Sequence, residues 1–318
     1  MRIVTGAEVH RLCSGTALVE ALAIAHRGPM PSVDRSEIHH ASGRTRNTFF
    51  NLPAWLDGVA MGTKVVTVLP DNPRVGVPAI QAAYVLCDGK TGTPVATIDG
   101  TALTYRKTAA DSALGAKLLA REECEHLLMV GAGGLAPFLV AAHRAVHPSL
   151  RRVSVWNRST GKAEALAAEC GGSVAGDLEA AVRDADIICC ATNAVEPLVK
   201  GAWLKPGAHL DLVGSFTPEM RECDDEAVRR ARIFVDSRQF AIDQPGDLAG
   251  PLSRGVIGRE RIEGDLFDLC RNGLPRPRRP EDITLFKNGG GAHLDLFVAL
   301  FIWEAVGVGS SPGNAGEQ

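Results

Sequence analysis

The sequence predicts an α/β protein in which a doubly wound parallel sheet is inserted into an α+β domain. Three observations predict it. From residue 108 onward, short strands that are apolar along their whole length alternate with helical segments, the rhythm of βαβ units buried on both faces. A glycine-rich turn, Gly131-Ala132-Gly133-Gly134-Leu135-Ala136, falls between one such strand and the helix after it. Residues 1–107 have a different texture, short helical and strand-like pieces, and the chain leaves that region near 108 and returns near 286.

In chain order, "GVAMGTKVVTVLP" and "AAYVLCDGKTGTPVATIDG" read as β, the second with a turn at Asp88–Gly92. A helix over 108–122 leads into the strand "HLLMVGAG". "LAPFLVAAHRAV" is helical, "VSVWNR" a strand, and "TGKAEALAAEC" and "DLEAAVRDA" are helices. "DIICCAT", "AHLDLVGS" and "RIFVDS" complete the apolar strands. The basic, Pro-rich loop "RNGLPRPRRPED" closes the region. "ITLFKNGGGAHLDLFVALFIWEA" then gives a short strand, a Gly turn and a helix whose Leu296, Phe297, Leu300 and Phe301 form an apolar face. The predicted domains are 1–107 with 287–318, and 108–286. The tail "GVGSSPGNAGEQ" is expected to fray.

Composition narrows the function. A chain of 318 residues is long enough for two domains and a large core. A formal net charge of −3 gives no electrostatic case for nucleic acid. The start lacks a signal-peptide layout, and the longest apolar run, "LFVALFIW", is too short to span a bilayer. The eight cysteines form no CxxC pair and no zinc-ligand spacing, so no metal is expected. They read as reduced thiols in a cytoplasmic protein.

The glycine-rich turn matches G-x-G-x-x-A, the fingerprint of a Rossmann-type dinucleotide site. Gly131 permits the tight turn, Gly133 lets backbone approach a pyrophosphate, and Ala136 lets helix pack on sheet. Ala132, Gly134 and Leu135 complete the cradle, and the helix N-terminus offers N–H groups to phosphate. About twenty residues on, an NAD enzyme carries an acid that grips the ribose. Here the turn is Asn157-Arg158-Ser159-Thr160. Asn157 removes the repulsion of a 2′-phosphate, Arg158 supplies a planar cation, and the hydroxyls add donors. This predicts NADP(H), with NAD(H) as the alternative. Arg158 as a merely solvated turn residue is the plainer reading.

Several of these stretches together resemble the ornithine cyclodeaminase/mu-crystallin family, nearly end to end. They are "GTKVVTVLPDN", "KTGTPVATIDGTALTYRKTAADSALGAKLLA", "VGAGGLAPF", "VWNRST", "VGSFTPEMREC", "IFVDS" and "ITLFKNGGGAHLDL". The resemblance implies a homodimer whose terminal segments form the substrate and dimerisation domain. Members include ornithine cyclodeaminases, some alanine dehydrogenases and reductases of cyclic ketimines, and mu-crystallin-like members bind NADPH beside a similar "WNR" turn.

Lys64 sits on a predicted buried strand, where a lysine is costly unless paired or used. By resemblance it faces the substrate, polarising or protonating the reacting centre. Arg35 aligns with an arginine that clamps the substrate carboxylate. His39 and His40 nearby read as surface or strand-pairing residues. Lys107-Thr108 stands where the family has Arg-Thr, a pair whose arginine helps hold substrate carboxylate and cofactor phosphate. By resemblance Lys107 binds substrate and Thr108 cofactor, with the charge kept and the fork lost. Arg106 is set aside because adjacent strand residues face opposite ways. Thr192 and Asn288 align with nicotinamide-side contacts. Glu196 reads as a loop charge and Asp295 as a first-turn acid that favours the helix dipole.

Ser215, in "LVGSFTP", decides among reactions. Family members that cyclise ornithine carry an aspartate there, able to act as a base on the amino group. A serine without an activating partner cannot. The expected activity is NADPH-dependent reduction of a cyclic ketimine carboxylate, such as Δ1-pyrroline-2-carboxylate, to an L-imino acid. Ornithine cyclodeamination with held NAD, and a non-catalytic NADPH-dependent binder of small ligands, are the alternatives.

Overall fold

A computed structural model describes residues 1–42 and 45–307. The tail expected to fray lies outside the described residues after Gly307. The chain begins with β1 (Arg2–Val4), α1 (Gly6–Leu12) and α2 (Ala17–Ala25). It continues through β2 (Ser32–Val33), β3 (Ser36–Ser42), β4 (Thr45–Leu56), β5 (Ala60–Val68), β6 (Ile80–Asp88) and β7 (Pro94–Asp99). The expected turn between β6 and β7 is closed by Gly92 N–H donating to Asp88 C=O (3.0 Å), with Gly92 at φ 71°. These strands form one sheet in the order β1-β7-β6-β5-β4-β2, with β3 also on β4. Only β1 pairs in parallel, against β7.

The helix predicted over 108–122 is α3 (Gly100–Leu119), and it starts a full two turns earlier. Asp99 starts it, accepting from the Ala102 N–H (2.9 Å), the role of an N-capping acid. Residues 106 and 107 are therefore helical, and the strand alternation used to set Arg106 aside does not apply. Arg106 is separated from Lys107 by the helical turn angle. It bonds His10, to Nδ1 at 3.2 Å and to C=O at 2.8 Å.

After α3 come β8 (His126–Val130), α4 (Ala136–Val146), β9 (Arg152–Trp156), α5 (Thr160–Cys170), β10 (Ser173–Val174), α6 (Leu178–Asp184) and β11 (Ile187–Cys190). Then follow β12 (His209–Leu212), α7 (Asp225–Arg230), β13 (Arg232–Val235), α8 (Arg238–Ala241), α9 (Gly246–Ser253), β14 (Ile262–Asp265), α10 (Leu266–Asn272) and β15 (Thr284–Lys287). All eight strands are parallel, in the order β10-β9-β8-β11-β12-β15-β13-β14. Both faces are buried. Leu128, Val130, Ile188, Cys190, Leu210 and Leu212 enter one core. Leu127, Met129, Val153, Val155, Ile187 and Cys189 enter the other. This is why the strands read as unbroken apolar runs.

The last helix is α11 (Ala292–Ala305). It packs on α2 and on β4, β5 and β6, and every residue from Ala292 to Val298 is buried. Of the expected apolar face, Leu296 and Phe297 are buried inside the chain, while Leu300 and Phe301 are half-buried. The fold divides into two compact units, Met1–Lys107 with Gly291 onward, and Thr108–Gly290.

Candidate active site

In the first unit, Lys64 lies in the middle of β5, paired with Leu52 on β4 and Tyr84 on β6. Its side chain points to the face covered by α11, and burial would strip its charge without a partner. The partner is Asp295, fully buried on α11, with Lys64 Nζ 2.9 Å from Oδ1 and 2.8 Å from Oδ2. Thr104 Oγ1 is 3.4 Å from the same Nζ. Lys107, also buried, sits 3.6 Å from Asp295 Oδ1 and donates to Gly291 C=O (3.4 Å). Burial lowers the Lys64 pKa to about 8; Asp295 opposes the shift and the Lys107 charge adds to it. Tyr84 is buried beside this pair, and burial first, then the Asp295 charge, holds its hydroxyl protonated.

Asp295 is therefore more than the first-turn acid the sequence suggests. It does sit in the first turn of α11, but its contacts are the two lysines. A signal was present. "AHLDLFVALFIW" is apolar almost all round, so it buries whatever acid it carries, and a buried acid and a buried lysine each need an opposite charge.

Arg35 is not in this cluster. It is exposed, ion-paired with Glu37 (2.9 Å) and stacked over the Phe50 ring (4.7 Å to its centroid). Register still places it on the Lys64 face. Ser36 pairs with Asn51, so Arg35 lies beside Leu52, and Leu52 pairs with Lys64. His39 faces Thr48 across the β3–β4 ladder (3.1 Å), and both His39 and His40 are exposed.

In the second unit, Gly131 follows β8 at φ 108°, and a Cβ there would lie 2.4 Å from Ala191 C=O. Around Gly133 there is open space. Leu135 caps α4 without a side-chain bond, and the N–H groups of Gly133, Gly134 and Leu135 have no partner within the chain among the described residues. Asn157 fastens the next turn to this one. Its Oδ1 accepts from Ala132 N–H (3.3 Å) and its Nδ2 donates to Ser159 C=O (3.0 Å). The cleft so formed, about 350 Å³, is lined by Gly131, Ala132, Gly133, Asn157, Arg158, Ser159 and Thr192. Lys162, from the first turn of α5, also lines it, and the sequence reading passed it over. No carboxylate is among the described lining residues.

Thr192 follows β11, and its N–H (2.7 Å) and Oγ1–H (2.9 Å) both donate to Glu222. Glu196, further along the same loop, is exposed. Ser215 follows β12, is buried, and donates its hydroxyl proton to Met220 C=O (2.7 Å). Asn288 follows β15. Its Nδ2 donates to Thr108 C=O and to Ser112 Oγ, each at 3.1 Å, which fixes the amide and leaves Oδ1 as an acceptor. Ser112 in turn donates to Asp211 (3.1 Å), whose other oxygen meets His143 Nε2 (3.2 Å) and Cys189 Sγ (3.1 Å). These donors satisfy the buried Asp211 carboxylate, so the cluster reads as a hydrogen-bonded core network.

Comparison with known proteins agrees with this architecture. The Δ1-pyrroline-2-carboxylate reductase of Paracoccus denitrificans is 43% identical over 289 residues, covering 89% of this chain and 90% of that one. The structure of Thermococcus litoralis Δ1-pyrroline-2-carboxylate reductase in complex with NADH and L-proline matches with TM-score 0.87 at 28% identity, covering 96% of this chain and 97% of that one. An archaeal alanine dehydrogenase dimer with bound NAD matches with TM-score 0.86 at 28% identity, covering 98% of each chain. The sequence profile of the ornithine cyclodeaminase/mu-crystallin family spans residues 4–310, and the chain belongs to that family.

Proposed function

We propose that the protein is an NAD(P)H-dependent reductase of cyclic ketimine carboxylates, of the Δ1-pyrroline-2-carboxylate to L-proline type. The observation that carries this reading is the charge count around Asp295. Two buried ammonium groups share one buried carboxylate, which leaves one positive charge for a substrate carboxylate to neutralise. In a site shielded from water such a charge attracts an anion strongly. Arg35, stacked on Phe50 and held by an exposed pair with Glu37, can exchange that carboxylate for the substrate's.

The open turn over Gly131–Leu135, with its unpartnered N–H groups, fits a dinucleotide. A bound reduced nicotinamide supplies the hydride that the imine carbon accepts. The imine nitrogen takes one proton in the same conversion. Lys64, titrating near pH 8, carries that proton at neutral pH and stands close to releasing it. Ser215 has already given its proton to Met220, so its oxygen is left to accept an N–H from the substrate. The same commitment makes it no base for the amino group of ornithine. Thr192 and Asn288 contribute acceptors on the nicotinamide side.

We infer a preference for NADPH over NADH. Arg158 and Lys162 place two exposed cations at a cleft without a carboxylate. We infer a homodimer too, through the face of the first sheet that α11 does not cover. Ile38, Phe49 and Trp55 are exposed there, beside an apolar groove of about 430 Å³. The eight cysteines are free thiols, which favours a cytoplasmic setting, and no helix among the described residues is long and apolar enough to cross a membrane.

The test is a substrate panel on purified protein with both cofactors. Steady NADPH oxidation with five- and six-membered cyclic ketimine carboxylates supports the reading. Ammonia release from ornithine with no ketimine turnover would replace it with cyclodeamination. Binding of NADPH with neither activity would replace it with a non-catalytic role.

A further inference from the structure

Glu222 lies between β12 and α7, with its side chain wholly buried. One carboxylate oxygen accepts from Thr192 N–H (2.7 Å) and Thr192 Oγ1–H (2.9 Å). The other accepts from Gly214 N–H (2.7 Å). Thr192 follows β11 and Gly214 follows β12, and these two strands are neighbours. One carboxylate therefore ties together two adjacent strand ends, where open α/β sheets place their ligands. Gly214 is required for the approach, because a Cβ there would lie 2.0 Å from Thr192 C=O and 2.5 Å from Glu222 Oε1. The backbone around Glu222 is anchored as well. Its N–H donates to Asp247 (2.7 Å), and its C=O accepts from Leu198 (3.1 Å) and Val199 (2.9 Å).

We infer that Glu222 is a positioning residue, which sets the spacing of the Thr192 and Ser215 loops and commits the Thr192 hydroxyl proton, so that Thr192 presents an acceptor to the nicotinamide. Thr192 Oγ1 takes a bond from Ala194 N–H (3.3 Å) and gives its proton to Glu222, so its orientation is fixed. Ser215 is the residue after Gly214 and moves with it. The Ser215 half of the inference rests on the ketimine-reductase reading. The Thr192 half needs only a bound dinucleotide.

The clamp is also a titrating group. Asp247 on α9 and Lys287 on β15 are the buried charges around it. Lys287 Nζ is 3.7 Å from Asp247 Oδ2 and donates to Leu212 C=O (3.0 Å). The neighbouring thiols of Cys189 and Cys190 on β11, and of Cys223, are held protonated, chiefly by burial. Burial and then the Asp247 charge push Glu222 up to about 7, against the pull of Lys287 and the two N–H donors. Once protonated, the carboxyl sets an O–H among three donors and its hydroxyl oxygen accepts only weakly, so the clamp loosens as pH falls through that value.

The test is fluorescence titration with NADH, which carries no titrating 2′-phosphate, between pH 6 and 8.5. Wild type is expected to bind about fivefold more weakly at pH 6 than at pH 8, the loss of one hydrogen bond. Glu222→Gln puts an N–H₂ where an acceptor is needed, and it is expected to bind weakly at every pH with no slope. A flat wild-type profile overturns the inference without reference to any variant, as does a Gln variant indistinguishable from wild type. Ketimine turnover measured on the same samples separates the two readings. Absent turnover with the NADH slope intact defeats the substrate assignment and leaves the clamp standing.

Discussion

Lys64 and Asp295 lie 231 positions apart in the chain, and each is tolerable inside the protein because of the other. Asp295→Ala leaves two ammonium groups buried without a counter-charge. It is expected to cost about 3–5 kcal/mol in urea unfolding. Lys64 titrates lower in the folded chain, near 8, than its ordinary 10.5. Between these values the unfolded chain binds a proton that the folded chain does not, so this residue's cost to stability is full below pH 8 and is relieved as pH rises toward 10.5. Activity runs the other way. If the ammonium form serves the reaction, kcat/KM for ketimine reduction falls as pH rises above about 8, the value burial gives Lys64. Lys64→Ala is expected to lower kcat/KM by at least ~10²-fold and to remove that limb. A wild-type profile flat to pH 9.5 would exclude the proton-donor role. Half of this pair was legible in the sequence, because a lysine among β-branched residues stands out. Asp295 was not, since a first-turn acid has an ordinary explanation and only the fold brings it to β5.

The turn after β9 and the first turn of α5 act together as an element. Asn157 is bonded at both ends, so it shapes the turn and keeps an acid out of the cleft. Asn157→Asp is expected to weaken NADPH selectively, by about 1.5–3 kcal/mol or roughly tenfold and more, with NADH much less affected. Lys162→Ala should act in the same direction and more mildly, because an exposed ammonium gives a point charge without a fork. Equal wild-type affinities for the two cofactors, from parallel titrations, would remove the basis of both predictions. Elements in this region were legible because strand, glycine turn and helix agree on one local answer. The start of α3 was not. "DGTALTYRK" has β-branched and aromatic residues that read as the end of a strand, and the signal against that reading is the capping Asp99. Lys162 was missed for a related reason, because a fingerprint names positions in a turn and not a side chain one helical turn beyond it.

At the scale of the whole molecule, the first sheet has two unequal faces. One takes Lys64 and α11. The other carries Ile38, which pairs with Phe49, and Trp55, with Met61 opposite Trp55 on β5. Ile38 is 69% exposed, Phe49 43% and Trp55 50%. Single exposed apolar residues are ordinary, but a cluster on one sheet face beside an apolar groove is what an interface core looks like before its partner is added. The last helix has less to offer, because Leu296 and Phe297 are buried in the chain's own core and only Leu300 and Phe301 stay half-exposed. A second copy of the chain is the economical partner, since a two-fold axis lets one patch bury itself. Sedimentation velocity at micromolar concentration is therefore expected to give a dimer. Trp55→Glu should shift it toward monomer by placing a charge at the centre of the contact, whereas reversing the charge at exposed Glu196 in the second unit, with Glu196→Lys, should not. A wild-type monomer at that concentration, or a Trp55→Glu protein that stays dimeric, would move the interface elsewhere.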